Sequence, residues 1–460
     1  MKIALVVPES NLHFNNACAP LNLGYLASYL RKYVPNIEVR IFDGVAHKNI
    51  KEEVIQWHPD VVGLTATTPQ APATYELATS IKQKCNCFTI IGGVHATAMP
   101  EEAAKHCDCV VIGEGEKALA NIIQKLQQNA PIPKIIEGQY VENLDDIPSP
   151  AFDLIDMRSY IEHGPPFPGL KAPIMSMVTS RGCPFRCPFC HNSFRNYPPR
   201  WFSAQRIVNE ILFFINEYGI KSVFFNDDEF IVNKKRLKEV ATLFEKHGIN
   251  KRIVWGCQAR VNSIDAETLR LVKSMGCVVI SPGFESAAPR MLEFLKCGTT
   301  TIADNERALK IAEEVGITMG GSFIFGTPGE TLDEMKQSFK WFEEHDDLKF
   351  IGINTVIPYP KTKIWEICQS KGLLPENMSY TKLIPTSTPK ETYIVNNAVN
   401  PDIYNKFIVD IQRIAWILTQ TRLDSSFKNF IKLARAKTWW WMWIKHPLRM
   451  IKVAIKTNFY

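Results

Sequence analysis

The sequence predicts an α/β protein: two successive strand–helix units and a smaller helical, basic C-terminal region. Three observations carry that expectation. Short apolar runs alternate with helix-period stretches over residues 1–140, and again over 171–395. Between the two series, segment 141–170 holds Pro148, Pro150, Pro165, Pro166 and Pro168, which remove donors and favour extended chain, so it reads as a linker. Residues 396–460 break the alternation with one helical stretch, Tyr404–Thr419, and a tail of tryptophans among basic residues.

The whole-chain properties bound the answer. At 460 residues, 46% hydrophobic and 22% charged, the chain reads as an ordinary globular protein of two or three domains. No apolar run approaches the roughly 18 residues of a membrane span, and the start has no cleavage pattern of a secretory signal. Twelve cysteines in such a chain imply reduced thiols and a cytoplasmic setting. Net charge is +6, but residues 421–460 hold nine Lys/Arg against one Asp, so the rest sums to −2.

In the first unit the candidate strands are Ile3–Val7, Val39–Phe42, Val61–Thr65, Phe88–Ile91 and Cys109–Ile112, with helices such as Gly24–Tyr33 and Pro72–Lys84 between them. This is the pattern of a doubly wound parallel sheet, which binds ligands at the carboxyl ends of its strands. There the sequence places Thr65, Thr67 and Thr68, then Gly92, Gly93 and His95, then Gly113, Glu114 and Gly115. Glycines allow close approach of a large ligand, and hydroxyls bond its polar edge. No G-x-G-x-x-G follows the first strand, which argues against a dinucleotide site. Cys85-x-Cys87 and Cys107-x-Cys109 read as strand-edge thiols.

The second unit opens on Arg181-Gly182-Cys183-Pro184-Phe185-Arg186-Cys187-Pro188-Phe189-Cys190-His191. Three cysteines at C-x3-C-x2-C can aim three thiolates at one point, a set suited to an Fe–S cluster or to zinc with His191 as fourth ligand. Three thiolates on a [4Fe–4S] cube leave one iron open to a substrate. Candidate strands lie at Ile174–Thr179, just before this stretch, and at Lys221–Asn226, Arg252–Cys257, Cys277–Pro282, Thr318–Phe325 and Ile351–Val356 after it. Polar residues gather after them: Asp227 and Asp228, Arg260, Glu285 and Ser286, Gly326 in a P-G-E-T stretch, and Tyr359.

The cysteine spacing, with Phe189 before the last cysteine, resembles the signature of radical S-adenosylmethionine (SAM) enzymes. The strand-end series resembles the SAM contacts of that family. The resemblance implies a partial (β/α)6 barrel over residues 171–395, with Cys183, Cys187 and Cys190 ligating a [4Fe–4S] cluster. Phe189, Asp227, Asp228, Arg260, Glu285, Ser286, Gly326 and Tyr359 would then contact SAM. Carboxylates suit its amino group, the arginine its carboxylate and the glutamate its ribose. Gly92-Gly93-x-His95-Ala96-Thr97 and Gly113-Glu114-Gly115-Glu116 are similar to the Rossmann-like cobalamin-binding domain fused to many radical SAM proteins. Such a domain over residues 1–140 would hold cobalamin through Thr65, Thr67, Thr68, Gly92, Gly93, His95, Gly113, Glu114 and Gly115. The cobalt-ligand motif D-x-H-x-x-G of methyltransferases is absent. His13 stands at its place without the Asp or the Gly, and so without the carboxylate that would orient its ring.

Together the resemblances imply methylation of an unactivated carbon, in which SAM methylates cob(I)alamin and an adenosyl radical activates the substrate. Ring closure without methyl transfer, or a non-catalytic Fe–S or corrinoid carrier, are the rival readings. The expected partners are a small-molecule substrate of apolar character and a reductant such as flavodoxin or ferredoxin. No nucleic-acid motif is present. In the tail, Lys437-Thr438-Trp439-Trp440-Trp441-Met442-Trp443 suits an anionic membrane surface, so residues 436–460 are expected to make a peripheral membrane contact.

Overall fold

The computed structural model describes residues 1–9, 18–164, 167–193, 197–384 and 392–424, and the single positions 433, 440, 444 and 447. The first unit runs β1 (Lys2–Val7), α1 (Leu21–Tyr33), β2 (Glu38–Asp43), α2 (Ile50–Trp57), β3 (Val61–Thr65), α3 (Ala71–Lys84) and β4 (Phe88–Gly92). Two short helices follow, α4 (Val94–Ala98) and α5 (Pro100–Ala103), then β5 (Cys109–Ile112), α6 (Glu116–Gln127) and β6 (Ile135–Glu137). The sheet is all parallel in the order β2-β1-β3-β4-β5-β6. The five predicted strands are present to within a residue. The sixth, β6, escaped notice because three residues just after Pro131 and Pro133 carry no periodicity.

Alternation along the strands divides the core. Ile3 and Leu5 face α1 and α6, in a cluster that continues into the second unit, whereas Ala4 and Val6 face α2 and α3. The segment 141–170 lies along α1, and a Cβ on Gly24 would meet Pro150 at 2.9 Å. It includes α7 (Met157–Glu162), whose Tyr160 hydroxyl donates to Asp43 at 2.6 Å.

The second unit begins with β7 (Ile174–Met177) and the two-residue strands β8 (Ser180–Arg181) and β9 (Arg200–Trp201). It continues through α8 (Ala204–Tyr218), β10 (Ser222–Phe225), α9 (Lys234–Lys246), β11 (Val254–Ala259), α10 (Ala266–Ser274) and β12 (Cys277–Glu285). After them come α11 (Pro289–Lys296), α12 (Ile302–Val315), β13 (Thr318–Phe325), α13 (Leu332–Glu344), β14 (Leu348–Thr355), α14 (Lys363–Ser370) and α15 (Pro401–Leu423). Six parallel strands lie in the order β14-β13-β12-β11-β10-β7, with β14 and β7 at the two edges. Side-chain caps start the helices that follow the strands: Ser203, Asn233, Asp265, Thr301 and Thr331 each accept an orphan N–H. The edge strand β14 is covered by α15, whose Tyr404, Ile408 and Ile411 are buried.

No helix among the described residues is long and apolar enough to cross a membrane. The tail at 436–460 lies outside the described residues, apart from positions 440, 444 and 447; Trp440 and Ile444 are exposed. His13 also lies outside them.

Candidate functional site

The three cysteines sit in the loop between β8 and β9, which pair antiparallel as Ser180–Trp201 and Arg181–Arg200 and so close the loop at its base. Gly182, at φ +85°, makes the entry turn, and Cys190 N–H donates to Cys187 O at 3.0 Å. Three contacts hold the loop from outside. Ile364 N–H donates to Pro188 O at 3.0 Å. The Arg260 guanidinium lies 3.9 Å from the Phe185 ring centroid and donates to Cys187 Sγ at 3.4 Å. Cys297 Sγ donates to Arg186 O at 3.2 Å.

All three thiols are partly exposed. Burial raises the Cys190 thiol to about 12, with Asp228 and the other two sulfurs adding to the shift. No three His, Cys, Asp or Glu among the described residues gather as a single ion requires.

At the strand ends the predicted contacts separate into those that face the loop and those spent inside the fold. Asp228 is exposed and accepts from Asn192 Nδ2 at 2.7 Å, beside Cys183 and Cys190. Asp227 is withdrawn: it is 1% exposed and accepts from Thr179 N–H and Oγ1 at 3.0 Å and from Ser180 Oγ. Burial pushes its carboxyl up to about 6 against the opposing charge of Arg236. It therefore anchors the stem of the cysteine loop. Ser286 is likewise occupied, with Oγ 2.9 Å from Ser338 Oγ and accepting from Ala288 N–H. A dipeptide motif could not reveal these differences, because alternate residues at a strand end face opposite ways.

Glu285, at φ +63°, is buried and paired with Lys296 Nζ at 3.0 Å. Arg260 donates to Lys296 O and Thr300 Oγ1 at 3.2 Å, so most of its fork is engaged with the fold and the loop. Next to them Glu229 is buried, and desolvation pushes it up to about 8 although Ser263, Arg260 and Lys296 oppose the shift. Phe189 packs with Ile324, Val356 and Ile364 in a small apolar cluster at the ends of β13 and β14. Gly326, at φ +84°, lies at the same level, where a Cβ would collide with the Tyr404 ring. Its N–H donates to Glu330 Oε2 at 2.7 Å. Tyr359 is half-buried, and desolvation raises its phenol to about 12.

On one face of the second sheet Gln258 and Asn354 are exposed, opposite the buried Cys257 and Ile353 of the same strands. Ser281 pairs with Gln258 across β11–β12, and Ser322 lies on β13. Phe167 stacks on Phe224 at 4.0 Å below them. By strand register these side chains share one face of the second sheet, where uncharged polar groups stand beside the Phe167–Phe224 pair.

At the strand ends of the first sheet a cavity of about 320 Å³ opens between the sheet, α1 and α6. Thr65, Gly92, Gly93, Gly113, Glu114 and Gly115 line it, together with Leu23, Leu26 and Leu119. A side chain at Gly93 would meet Thr65 Oγ1 at 2.7 Å, so the glycine keeps this end open. Thr67, Thr68 and His95 do not line it. Thr67 bonds Gln70, and Thr68 Oγ1 lies 3.3 Å from His95 Nδ1. The fully buried His95 packs against Tyr75 and Tyr380, and burial pushes it down to about 4. The turn from β4 into α4 carries His95 to the opposite face of the sheet. Val178 and Arg181, which lead into the cysteine loop, close the cavity.

Sequence reasoning missed Asn192, Lys296, Arg181, Arg200 and Glu116. Arg181 was visible as the first residue of the cysteine stretch and Glu116 as the last of Gly-Glu-Gly-Glu, whereas Arg200 is set opposite Arg181 only by the β8–β9 pairing. Lys296 had no local signal.

Family models for the radical SAM superfamily and the B12 binding domain match residues 177–342 and 11–123. An uncharacterized methyltransferase of Pyrococcus horikoshii is 34% identical over 402 residues, which cover 81% of this chain and 84% of the relative. An anaerobic magnesium-protoporphyrin IX monomethyl ester cyclase of Cereibacter sphaeroides is 28% identical over 373 residues, 76% of this chain and 59% of the cyclase. The structure of the radical SAM methyltransferase TsrM from Kitasatospora setae, with cobalamin and a [4Fe-4S] cluster bound, superposes with a TM-score of 0.70 at 18% identity. That match covers 91% of this chain and 88% of TsrM.

Proposed function

The chain belongs to the radical SAM enzymes that carry a cobalamin-binding domain, and from that premise we propose that it methylates an unactivated carbon of a small molecule. Its cofactors are a [4Fe–4S] cluster, SAM and cobalamin. When bound, the cluster supplies the electron that cleaves SAM and cobalamin carries the methyl group. The remaining work falls to this chain's own groups. One observation carries the reading: the cavity in the first sheet is closed by Val178 and Arg181, the residues that enter the cysteine loop. The two candidate cofactor sites would thus adjoin across these two residues, as a reaction that uses both requires.

The residues present fit these groups. Cys183, Cys187 and Cys190 would hold three irons. Asp228, steadied by Asn192, would accept from the SAM amino group, a charge-assisted bond worth about 1.5–3 kcal/mol. Glu285 and Lys296 would present a fixed dipole to the ribose and carboxylate side. Phe189, Ile324, Val356 and Tyr359 would make an apolar slot for the adenine. At the low end of the range for small-molecule pockets, the glycine-lined cavity would take part of the cobalamin and leave the rest to face the barrel. Gln258, Ser281, Ser322 and Asn354, on one face of the second sheet, would orient an uncharged polar part of the substrate beside the Phe167–Phe224 pair. Reduction would come from a flavodoxin or ferredoxin. The basic, tryptophan-rich tail would rest on an anionic membrane, which liposome co-sedimentation with and without residues 436–460 tests.

The deciding experiment is anaerobic reconstitution with iron, sulfide, hydroxocobalamin and methyl-labelled SAM, followed by mass spectrometry of small molecules from the source cell. A labelled methyl group in product, formed along with 5′-deoxyadenosine, is expected. Deoxyadenosine with an unlabelled, cyclised product would transfer the assignment to ring closure, the chemistry named for the Cereibacter relative.

A further inference from the structure

The cysteine loop is held at both ends by the other unit. Its base is the register pair Arg181–Arg200, and both guanidiniums reach out of their own sheet to carboxylates of the first. Arg181 Nη2 donates to Glu116 Oε1 at 2.6 Å, and its Nη1 lies 3.5 Å from Glu114 Oε2. Arg200 grips Glu114 with both Nη atoms, at 3.1 Å to Oε2 and closer still to Oε1. Glu114 Oε2 also accepts from Val141 N–H at 3.0 Å, and Arg200 donates to the Val141 carbonyl. Each arginine lies over a tyrosine ring, Arg181 over Tyr25 at 5.4 Å and Arg200 over Tyr140 at 5.0 Å. The side chains are 20%, 8%, 13% and 5% exposed for Arg181, Arg200, Glu114 and Glu116, so water screens the set weakly.

Such a network is a poor way to add stability, since apolar residues of similar volume often do as well. Its asset is geometry. A planar fork on a carboxylate fixes distance and angle together, and two forks side by side fix a plane. Glu114 and Glu116 flank Gly115, and all three line the cavity that Arg181 closes. Any movement of this segment when the cavity fills is passed directly to the base of the loop.

We propose that Glu114 and Glu116 are positioning residues that clamp the cysteine loop to the cofactor cavity, so that filling the cavity orders the loop. The proposal rests on cobalamin being the cavity's ligand. The clamp sets the span between the two cofactors, and a misplacement of about 1 Å can cost about 100-fold in rate.

Hydrogen exchange on the full, cluster-loaded chain, with and without hydroxocobalamin, tests it. In the wild type, hydroxocobalamin is expected to slow exchange over residues 181–193 at least tenfold. In Glu116→Gln the corrinoid absorbance of the purified complex should persist while that slowing disappears. The yield of 5′-deoxyadenosine per methylated product should rise at least tenfold, and Glu116→Asp should recover part of both effects. Loop protection by hydroxocobalamin that is the same in Glu116→Gln as in wild type overturns the clamp. So does loss of the corrinoid from that variant, which would make the Glu116 carboxylate a cofactor contact. Wild type that binds hydroxocobalamin without any change at 181–193 overturns the coupling alone. Wild type that takes up no hydroxocobalamin overturns the cofactor reading beneath it.

Discussion

At the mouth of the second sheet the chain presents functional groups, whereas at the strand ends of the first it withdraws them. Around the cysteine loop stand carboxylates, an amide, a lysine and an arginine, each fixed by a partner: Asp228 by Asn192, Glu285 by Lys296, Arg260 by Cys187 and Phe185. The first-sheet cavity is defined by Gly92, Gly93, Gly113 and Gly115 and by aliphatic walls, and the carboxylate on its rim faces Arg200. The contrast follows from the ligands. A small charged cosubstrate is oriented by a few directed bonds, each of which must sit still. A large preformed macrocycle is held chiefly by shape and exclusion of water, so the chain's task is to leave room.

Three changes of decreasing effect probe that contrast. The largest falls on the loop itself: Cys187→Ala is expected to leave the cluster incomplete and to lower 5′-deoxyadenosine formation by about three orders of magnitude or more, as loss of a cofactor does. Iron content and the cluster's absorbance on the purified chain would check it. A variant with full cluster and full SAM cleavage would show that the loop is not the ligand set.

Next comes a change of shape alone. Gly93→Val places a branched side chain at φ +93° where even a Cβ would stand 2.7 Å from Thr65 Oγ1. Hydroxocobalamin affinity should fall about 100-fold, equivalent to about 2.7 kcal/mol, as read by equilibrium dialysis. SAM cleavage should survive. A converse change, Asp228→Asn, should raise KM for SAM about 10- to 100-fold and leave corrinoid binding untouched. If each variant damaged both ligands equally, the two ends would not be separable as described.

This contrast also governs what could be read from the amino acids. The loop that carries Cys183, Cys187 and Cys190 was legible because its cysteines recur at close fixed spacing, and the parallel strands because burial on both faces makes continuous apolar runs. That Asp227 and Ser286 are buried and bonded within the fold could not be read from the sequence, for a geometric reason. Each lies next to a residue that fits the site, and one step along a strand end reverses the direction of the side chain. His95 was misplaced by the turn at Gly93, where φ +93° starts α4 and carries the ring to the other core. Lys296 stood eleven residues beyond its partner Glu285, at the end of α11, and no local pattern joins a strand end to the far end of the next helix. The Arg181–Glu116 contact spans 65 positions and exists only once two sheets meet.

The smallest expected effect concerns the frame behind the SAM side. Glu330 is 1% exposed, and its Oε2 accepts from Gly326 and Thr327 N–H at 2.7 and 3.1 Å. Desolvation outweighs those bonds and pushes its carboxyl up to about 8 from an ordinary 4.5. The folded chain therefore holds a proton that the unfolded chain releases between those values. Stability is then greatest at the acid side of this window and falls as pH rises through it, by at most about 1.4 kcal/mol per pH unit for one such group. Glu229, raised to about 8 by the same cause, adds a second contribution of the same sign. Glu330→Gln keeps an acceptor for both N–H groups and never ionises, so it should flatten part of that slope and raise Tm at pH 8 relative to wild type. Urea midpoints of the cluster-free chain at pH 6, 7 and 8 would measure the difference. Parallel pH profiles for the two proteins would mean that Glu330 is ionised in the fold, with its charge met by Gly326 and Thr327 alone. The glycine turn at Gly326 would then be an anion cradle. The line between groups that serve the ligand and groups that serve the frame would have to be drawn further out, at Tyr404 and α15.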